Sequence, residues 1–187
     1  MAVEKFKFIK TPIEGLIIIE TIVFQDERGF FMETYNLKEF RANGIVETFV
    51  QDNHSHSKKG VLRGLHFQQK HPQGKLVRVI KGKVFDVAVD LRKNSPTFRK
   101  WFGIEFSDNN HKQFYIPPCF AHGFLSLKDD TDFLYKCTDF YYPDDELGII
   151  WNDPTINISW PIDNIENIVI SEKDRKLPTF EEVAKCL

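Results

Sequence analysis

Cysteine is scarce in this chain, and the few cysteines present do not form a motif. Cys119, Cys137 and Cys186 are odd in number and include no CxxC pair. The spacing therefore offers neither a disulfide framework nor a zinc-finger ligand set. We expect reduced thiols and a cytoplasmic protein.

Long apolar runs and an excess of positive charge are also absent. The opening segment MAVEKFKFIK lacks the apolar core of a signal peptide, and no apolar run reaches membrane-spanning length. The formal net charge of the 187 residues is −2, which provides no bulk attraction to nucleic acid or anionic lipid. We therefore expect no nucleic-acid partner and no membrane partner, although a local basic patch is compatible with this composition.

Several common catalytic motifs are missing too. The chain contains no GxSxG elbow, no Walker loop and no GxGxxG turn. A jelly-roll metal site would show HxH on one strand with a later Glu and a further His, but the LHFQ strand carries only His66. We expect His54 and His56 to precede that strand. The residues therefore give no support for a bound catalytic metal.

Short strand patterns separated by turn residues recur along the chain. They cover residues 13–20, 76–80, 84–92, 101–106, 113–116, 122–127, 131–138, 148–151 and 156–160. Few helical patterns lie between them, and the eighteen phenylalanines suit packing between sheets. About ten short strands predict one all-β domain over residues 1–187, an antiparallel sandwich or jelly-roll barrel rather than a parallel α/β sheet.

Capping signals predict two short helices at the edge of this sheet structure. Asn36 can cap a helix over residues 37–43, which Gly44 would end. Thr179 and Glu182 have the spacing of a capping box and mark a second helix at the C-terminus.

The stretch from residue 51 to residue 75 concentrates groups that strand packing does not require. Arg63, His66, Gln68 and Lys75 follow one another within QDNHSHSKKGVLRGLHFQQKHPQGK. Histidine titrates nearest neutrality, so His66 beside apolar neighbours is a candidate general base. The alternative is a hydrogen-bonded core or surface histidine.

Other candidate site residues also have a structural interpretation beside the functional one. Tyr135 alternates with Phe133 and Cys137, so its hydroxyl can project into a barrel lumen or simply sit in the core. Gly123 beside His122 would admit either a ligand or a neighbouring strand. By itself Asp174 is interpreted as a solvated charge. Arg28, Arg63, Lys75 and Lys173 taken singly are more typical of surface cations.

Taken together, the motifs resemble one enzyme family over essentially the whole chain. They are FxDERGFFxETYN, FVQDNHSxSxxGVLRGLHFQ, QGKLVRVIKGKVFDVAVDLRKxSPTF, IPxxFAHGF, FLYKCTDFYYP, GIIWNDPxIxIxWP and ISEKD. The chain thereby resembles the dTDP-4-dehydrorhamnose 3,5-epimerases, the third enzymes of dTDP-L-rhamnose biosynthesis. Cys119 stands where many members carry glycine, which leaves the local geometry of that loop open.

The resemblance implies an isomerase without metal or cofactor, with a jelly-roll (cupin-like) core. It also implies a homodimer with exchanged N-terminal strands that acts on a dTDP-sugar. By motif position, His66 is the base, Tyr135 the proton donor, Asp174 the partner of the base, and Lys75 the cation near the C4 carbonyl. Positions that match contacts to the nucleotide sugar are Arg28, Glu33, Gln51, Asn53, Arg63, His122, Glu146 and Lys173, with Tyr141 as a stacking aromatic.

The implied chemistry suits these side chains. A ketone at C4 acidifies the C–H bonds at C3 and C5, so the reaction needs a base, an acid on the opposite face and a cation at the carbonyl oxygen. Epimerisation at C3 alone, or of a related nucleotide sugar, stays open. A non-catalytic sugar-binding jelly roll is the alternative from another class, but it has no need of all three groups.

Overall fold

Within residues 4–187, which the computed structural model describes, the chain forms thirteen strands, three short α-helices and a single 3₁₀ turn at Pro143–Asp145. The strands are β1 (Phe6–Lys10), β2 (Ile17–Thr21), β3 (Phe24–Asp26), β4 (Gly29–Phe31), β5 (Gln51–Ser57), β6 (Leu62–Gln68), β7 (Lys75–Lys81), β8 (Lys83–Asp90), β9 (Trp101–Ser107), β10 (Gln113–Ile116), β11 (Phe120–Ser126), β12 (Thr131–Cys137) and β13 (Glu146–Gly148). The helices are α1 (Leu37–Ala42), α2 (Glu172–Arg175) and α3 (Phe180–Val183).

Two antiparallel sheets enclose the interior. The six-stranded sheet has the order β1-β2-β10-β7-β12-β5, and the five-stranded sheet has the order β13-β6-β11-β8-β9. Strands β3 and β4 form a separate hairpin. The antiparallel jelly-roll prediction is confirmed. That residues 1–187 form a single domain stays a prediction, and its first three residues lie outside the described chain.

The five-stranded sheet is covered on both faces, and β8 shows how its sequence achieves this. Val87 and Val89 turn outward and join a core completed by residues from the C-terminal segment, including Trp160 and Phe180. Ala88 turns inward to the core shared with the six-stranded sheet. The alternation in this strand therefore separates two apolar layers rather than core from solvent.

Two predicted strands are wrong. The segment after β13, residues 149–160, contains no strand, although its apolar side chains Ile149, Ile156 and Trp160 are buried. Asp153 bends this segment because its carboxylate accepts the backbone N–H groups of Thr155 and Ile156. The apolar spacing there reflects burial in irregular structure, which periodicity alone does not separate from a strand.

Local capping sets the helices. The Asn36 side chain accepts from the backbone of residues 38 and 39 at the start of α1, and Gly44 beyond its end has a φ of +91°. Thr179 and Glu182 form the predicted capping box of α3. Helix α2, capped by Ser171, was not predicted, and it carries a residue of the site.

Candidate active site

A cavity of about 730 Å³ lies between the two sheets. We call its side on the five-stranded sheet the histidine wall, because it carries His66 on β6 and His122 on β11. We call the opposite side, on the six-stranded sheet, the donor wall, because it carries Lys75 on β7 and Tyr135 on β12. A cavity of this size matches an organic ligand larger than a simple sugar.

His66 is held by a buried carboxylate. Its Nε2 atom lies 2.7 Å from Oδ1 of Asp174, and the Gly64 N–H donates to Oδ2 at 3.2 Å. Burial opposes the charge on Asp174, but these hydrogen bonds and that with Ser171 lower its pKa below the usual value. Asp174 is only 4% exposed, so the interpretation of a solvated charge is wrong.

A β-bulge aims two side chains of β6 into the cavity. His66 pairs with His122 across the sheet, whereas Arg63 pairs with Phe124, so two residues of β6 oppose one residue of β11. Regular alternation would put Arg63 and His66 on opposite faces, and the bulge brings both to the cavity. Gly64, inside the bulge, has a φ of +109°.

His122 has its own carboxylate partner. Its Nε2 atom lies 2.9 Å from Oδ2 of Asp86, which is fully buried on β8. Gly123 beside it allows a strand rather than a ligand to approach, since an added Cβ would lie 2.7 Å from the Arg63 carbonyl oxygen.

The donor wall is arranged in cross-strand rows. Lys75 is opposite Cys137, which is opposite Gln51, and in the next row Tyr135 is opposite Asn53. Neither the Lys75 ammonium nor the Tyr135 hydroxyl has a hydrogen-bond partner in residues 4–187. Burial lowers the pKa of Lys75 and raises the pKa of Tyr135. Each of these donors is free to bind a ligand.

Polar groups from β13, α2 and the loop after β12 also surround the cavity. The Tyr141 hydroxyl donates to Glu146 at 3.0 Å, and Lys173 forms an ion pair with the same carboxylate. Burial opposes the charge of Glu146, but Lys173, His66 and Tyr141 lower its pKa. The Tyr141 N–H donates to Gln51 at 2.9 Å, which ties the loop after β12 to β5.

Most of the site residues predicted from sequence line this cavity. They are Gln51, Asn53, Arg63, His66, Lys75, His122, Tyr135, Tyr141, Glu146, Lys173 and Asp174. Sequence reasoning missed Gln73 and Cys137 as lining residues. Alternation with Tyr135 on β12 was the available signal for Cys137.

Arg28 and Glu33 do not line the cavity within one chain. Arg28 is at the β3–β4 turn, where its mostly exposed side chain pairs with Asp26. Glu33 pairs with Lys5. A single chain therefore does not assemble the complete set implied by the family motifs.

His54 and His56 precede the strand that carries His66, as expected. Both lie on β5 and both contact Asp132 on β12. Neither lines the cavity. Among the described residues, no group of three or more His, Cys, Asp or Glu side chains is arranged to hold a metal ion. None of the helices in residues 4–187 is long and apolar enough to cross a membrane.

Comparison with known proteins gives consistent matches over most of the chain. A family model described as dTDP-4-dehydrorhamnose 3,5-epimerase matches residues 10–182. A curated protein of that name from Methanothermobacter thermautotrophicus is 56% identical over 178 residues, which cover 95% of this chain and 96% of the relative.

Solved structures agree in fold. A dTDP-6-deoxy-D-glucose-3,5-epimerase from Legionella pneumophila, in complex with dTDP-4-keto-L-rhamnose, superposes with a TM-score of 0.90 at 49% identity, covering 93% of this chain and 92% of that one. A 3'-monoepimerase from Streptomyces bikiniensis, in complex with dTDP-quinovose, has a TM-score of 0.86 at 30% identity, covering 94% and 89%. The fold of these proteins is the cupin-like jelly roll.

Proposed function

The chain belongs to the dTDP-4-dehydrorhamnose 3,5-epimerase family, and from this premise we propose how its residues carry out the epimerisation. The enzyme is an isomerase that converts dTDP-4-dehydro-6-deoxy-D-glucose to dTDP-4-dehydro-L-rhamnose by inverting C3 and C5. The observation that carries the proposal is a carboxylate-held histidine facing two unpaired donors across one cavity.

His66 removes the proton in this proposal. Asp174 occupies Nε2, so Nδ1 is the nitrogen that accepts the proton from carbon. The carboxylate fixes the orientation of the ring and stabilises the imidazolium that forms. The electrons pass to the C4 carbonyl, giving an enolate.

The donor wall completes the inversion. The Lys75 ammonium binds the developing charge on the C4 oxygen, where a fixed donor stabilises an enolate strongly. Tyr135 returns a proton from the face opposite His66, which inverts the carbon. A raised pKa keeps the Tyr135 hydroxyl protonated at neutral pH, so it is available as a donor.

The remaining lining residues bind the nucleotide. Arg63 and Lys173 supply cations for the diphosphate, and Tyr141 supplies an aromatic face for the base. Gln51, Asn53, His122 and Glu146 offer hydrogen-bonding groups around the sugar and base. None of these roles needs a metal or a cofactor, so we expect a chelator to leave the activity unchanged.

Product analysis tests this function. The protein is incubated with the 4-keto sugar, a 4-ketoreductase and its reductant, and we expect dTDP-L-rhamnose. The alternative is inversion at C3 alone, which the likeness to a 3'-monoepimerase keeps in view. If deuterium from D₂O enters at C3 only, the protein is a C3 epimerase and not a 3,5-epimerase. If deuterium enters at neither carbon, a non-catalytic sugar-binding protein is favoured.

A homodimer with exchanged N-terminal segments would complete the cavity. Strand β1 pairs with β2 of its own chain, so the segment we propose for exchange is the β3–β4 hairpin, which exposes Phe30 and Phe31 and carries Arg28. Co-refolding inactive Arg28→Ala with inactive His66→Ala should restore about a quarter of wild-type activity, because one site in each mixed dimer is intact. No restoration would place Arg28 in its own chain's site.

Cytoplasmic location is also a proposal. It rests on the three free cysteines, which are typical of a reducing compartment. Fractionation of the cells that make the protein tests it.

A further inference from the structure

The aromatic ring proposed to bind the base of the nucleotide stands on an irregular segment. Tyr141 lies between β12 and the 3₁₀ turn at Pro143–Asp145, in neither a strand nor a helix. It lines the cavity but is 48% exposed, so packing holds it only in part. A ring that is fixed before the ligand arrives loses less conformational entropy on binding. The affinity that Tyr141 provides therefore depends on what holds the chain on either side of it.

A single side chain of β6 holds the segment on both sides of Tyr141. The Oε1 atom of Gln68 accepts from the backbone N–H of Tyr142 at 2.9 Å, and its Nε2 atom donates to the backbone oxygen of Phe140 at 3.1 Å. Gln68 is only 4% exposed, so water competes little for these bonds. One amide thus fixes the residue before the ring and the residue after it.

Gln68 also reaches the loop between β6 and β7. Its Nε2 atom donates a second hydrogen bond, to the backbone oxygen of His71 at 2.7 Å. A glutamine amide has two N–H bonds, and the Phe140 and His71 oxygens use both of them. Gln68 lines the cavity, but its amide has no N–H left to donate to a ligand. Its hydrogen bonds therefore act on the loops rather than on the substrate.

The Tyr141 residue is fixed at two further points. Its backbone N–H donates to Gln51 at 2.9 Å, and its hydroxyl donates to Glu146 at 3.0 Å. Glu146 is directly opposite Gln68 in the pairing of β13 with β6. Gln68 is two residues from His66 on β6, and both line the cavity. The strand that carries the proposed base therefore also anchors the proposed stacking ring.

We propose that Gln68 is a positioning residue for nucleotide binding: it holds the segment around Tyr141 so that the ring faces the cavity and stacks on the base. The inference rests on the proposed function, because Tyr141 has its stacking role there. Gln68 then contributes to affinity for the nucleotide and not to proton transfer. A loss of such binding raises KM and leaves kcat in place.

Gln68→Met tests this, because methionine has a similar length without the amide. We expect KM for the nucleotide sugar and Kd for dTDP each to rise about tenfold, the order of affinity that stacking on a base provides, while kcat changes less than about twofold. Steady-state kinetics and isothermal titration with dTDP measure these constants. A fall in kcat of the same size, or unchanged KM and Kd, would overturn the inference.

A double substitution separates positioning of the ring from a general loss of structure. In a Tyr141→Ala background there is no ring to position, so adding Gln68→Met should raise Kd for dTDP by less than about twofold. A further rise of about tenfold in this background would overturn the inference, because Gln68 would then act independently of Tyr141.

Asp145→Asn is the matched control. Asp145 is also buried, and its carboxylate ties the same two loops together by accepting from the N–H groups of Lys70 and His71 rather than from residues 140–142. The variant should lower Tm and leave KM and Kd near their wild-type values. A rise in Kd as large as that of Gln68→Met would overturn the inference, because any loosening of the two loops would then weaken binding.

A wild-type measurement covers the case in which Gln68→Met does not fold. In the ligand-free protein, the Tyr142 amide should exchange its hydrogen at least about 10²-fold more slowly than an unprotected amide, since it donates to a buried side chain. Unprotected exchange, measured by NMR, would overturn the inference. Failure of dTDP to bind to wild type would instead overturn the proposed function, so the two failures are distinct.

Discussion

The two walls of the cavity satisfy their polar groups in opposite ways. On the histidine wall, His66 and His122 are each fixed by a buried carboxylate, Asp174 and Asp86. On the donor wall, the Lys75 ammonium and the Tyr135 hydroxyl have no partner in the described chain. A group held by protein is preorganised, whereas an unpaired donor is left for the ligand.

This difference suits proton abstraction next to a ketone. A base has to point in one direction before the substrate arrives, and a second hydrogen bond to its ring provides that orientation. A donor to an enolate gains most when no competing partner must be displaced.

The largest effect is expected from removing His66, the proposed base, from the histidine wall. His66→Ala should lower kcat by about 10⁴-fold, because it removes the group to which we assign proton abstraction. Steady-state turnover measures this, and circular dichroism should show an unchanged fold. His54→Ala is the control, since His54 lies outside the cavity. If His66→Ala kept wild-type exchange at C3 and C5, His66 would not be the base.

A smaller effect is expected when the imidazole stays and its carboxylate is changed. Asp174→Asn removes the carboxylate charge that fixes the His66 ring. We expect a loss of about 10²–10³-fold in kcat with a small change in KM. Asp153→Asn, which alters a buried carboxylate outside the cavity, should lower Tm only. Similar kcat values for the two variants would show that Asp174 only stabilises the fold.

The bulge that aims His66 can be tested with glycine substitutions. In Gly64→Ala the new Cβ would lie 2.6 Å from both the Gly123 Cα and the His122 carbonyl oxygen, at a φ of +109°. We expect a loss of about 3 kcal/mol in the free energy of unfolding, from urea denaturation. Gly44→Ala has positive φ but no atom within 4 Å, and should lose about 1 kcal/mol. Equal losses in the two variants would show that the close approach of β6 and β11 at Gly64 adds nothing to the destabilisation.

The smallest effect concerns a carboxylate that serves neither wall. Hydrogen bonds from Arg92, Ser95 and Thr97 overcome burial and lower the pKa of Asp90 from 3.8 to about 2. A lowered pKa stabilises the fold above about pH 4, and this contribution is lost as the pH falls towards 2. Asp90→Asn should therefore be about 2 kcal/mol less stable at pH 7, with a difference that shrinks below pH 4. A stability difference that does not change with pH would show that the charge of Asp90 does not stabilise the fold.

The sequence predicted the elements whose signals are local. Strand β10 has the predicted bounds, and α1 begins at its Asn36 cap. Alternation along β12 correctly placed Tyr135 and Cys137 on one face, since a strand without a bulge keeps a period of two. Those signals need only neighbouring residues.

The parts that were not predicted depend on distant contacts. The bulge at Gly64 becomes visible only when β6 is paired with β11, so alternation alone would separate Arg63 from His66. Asp174 looks like a solvated charge in SEKD until α2 is placed against β6. The family motifs, rather than periodicity, predicted its pairing with His66. They also predicted a site role for Arg28, which does not line the cavity of its own chain.

The division of work between the two walls is tested most directly by Tyr135→Phe in D₂O. The ring and its packing are kept while the donor on the face opposite His66 is deleted. We expect solvent deuterium to enter C3 and C5 with their original configuration, so exchange continues while inversion falls by about 10²-fold. Exchange and inversion that fall together, or that both stay at wild-type rates, would contradict the assignment of the base to one wall and the acid to the other.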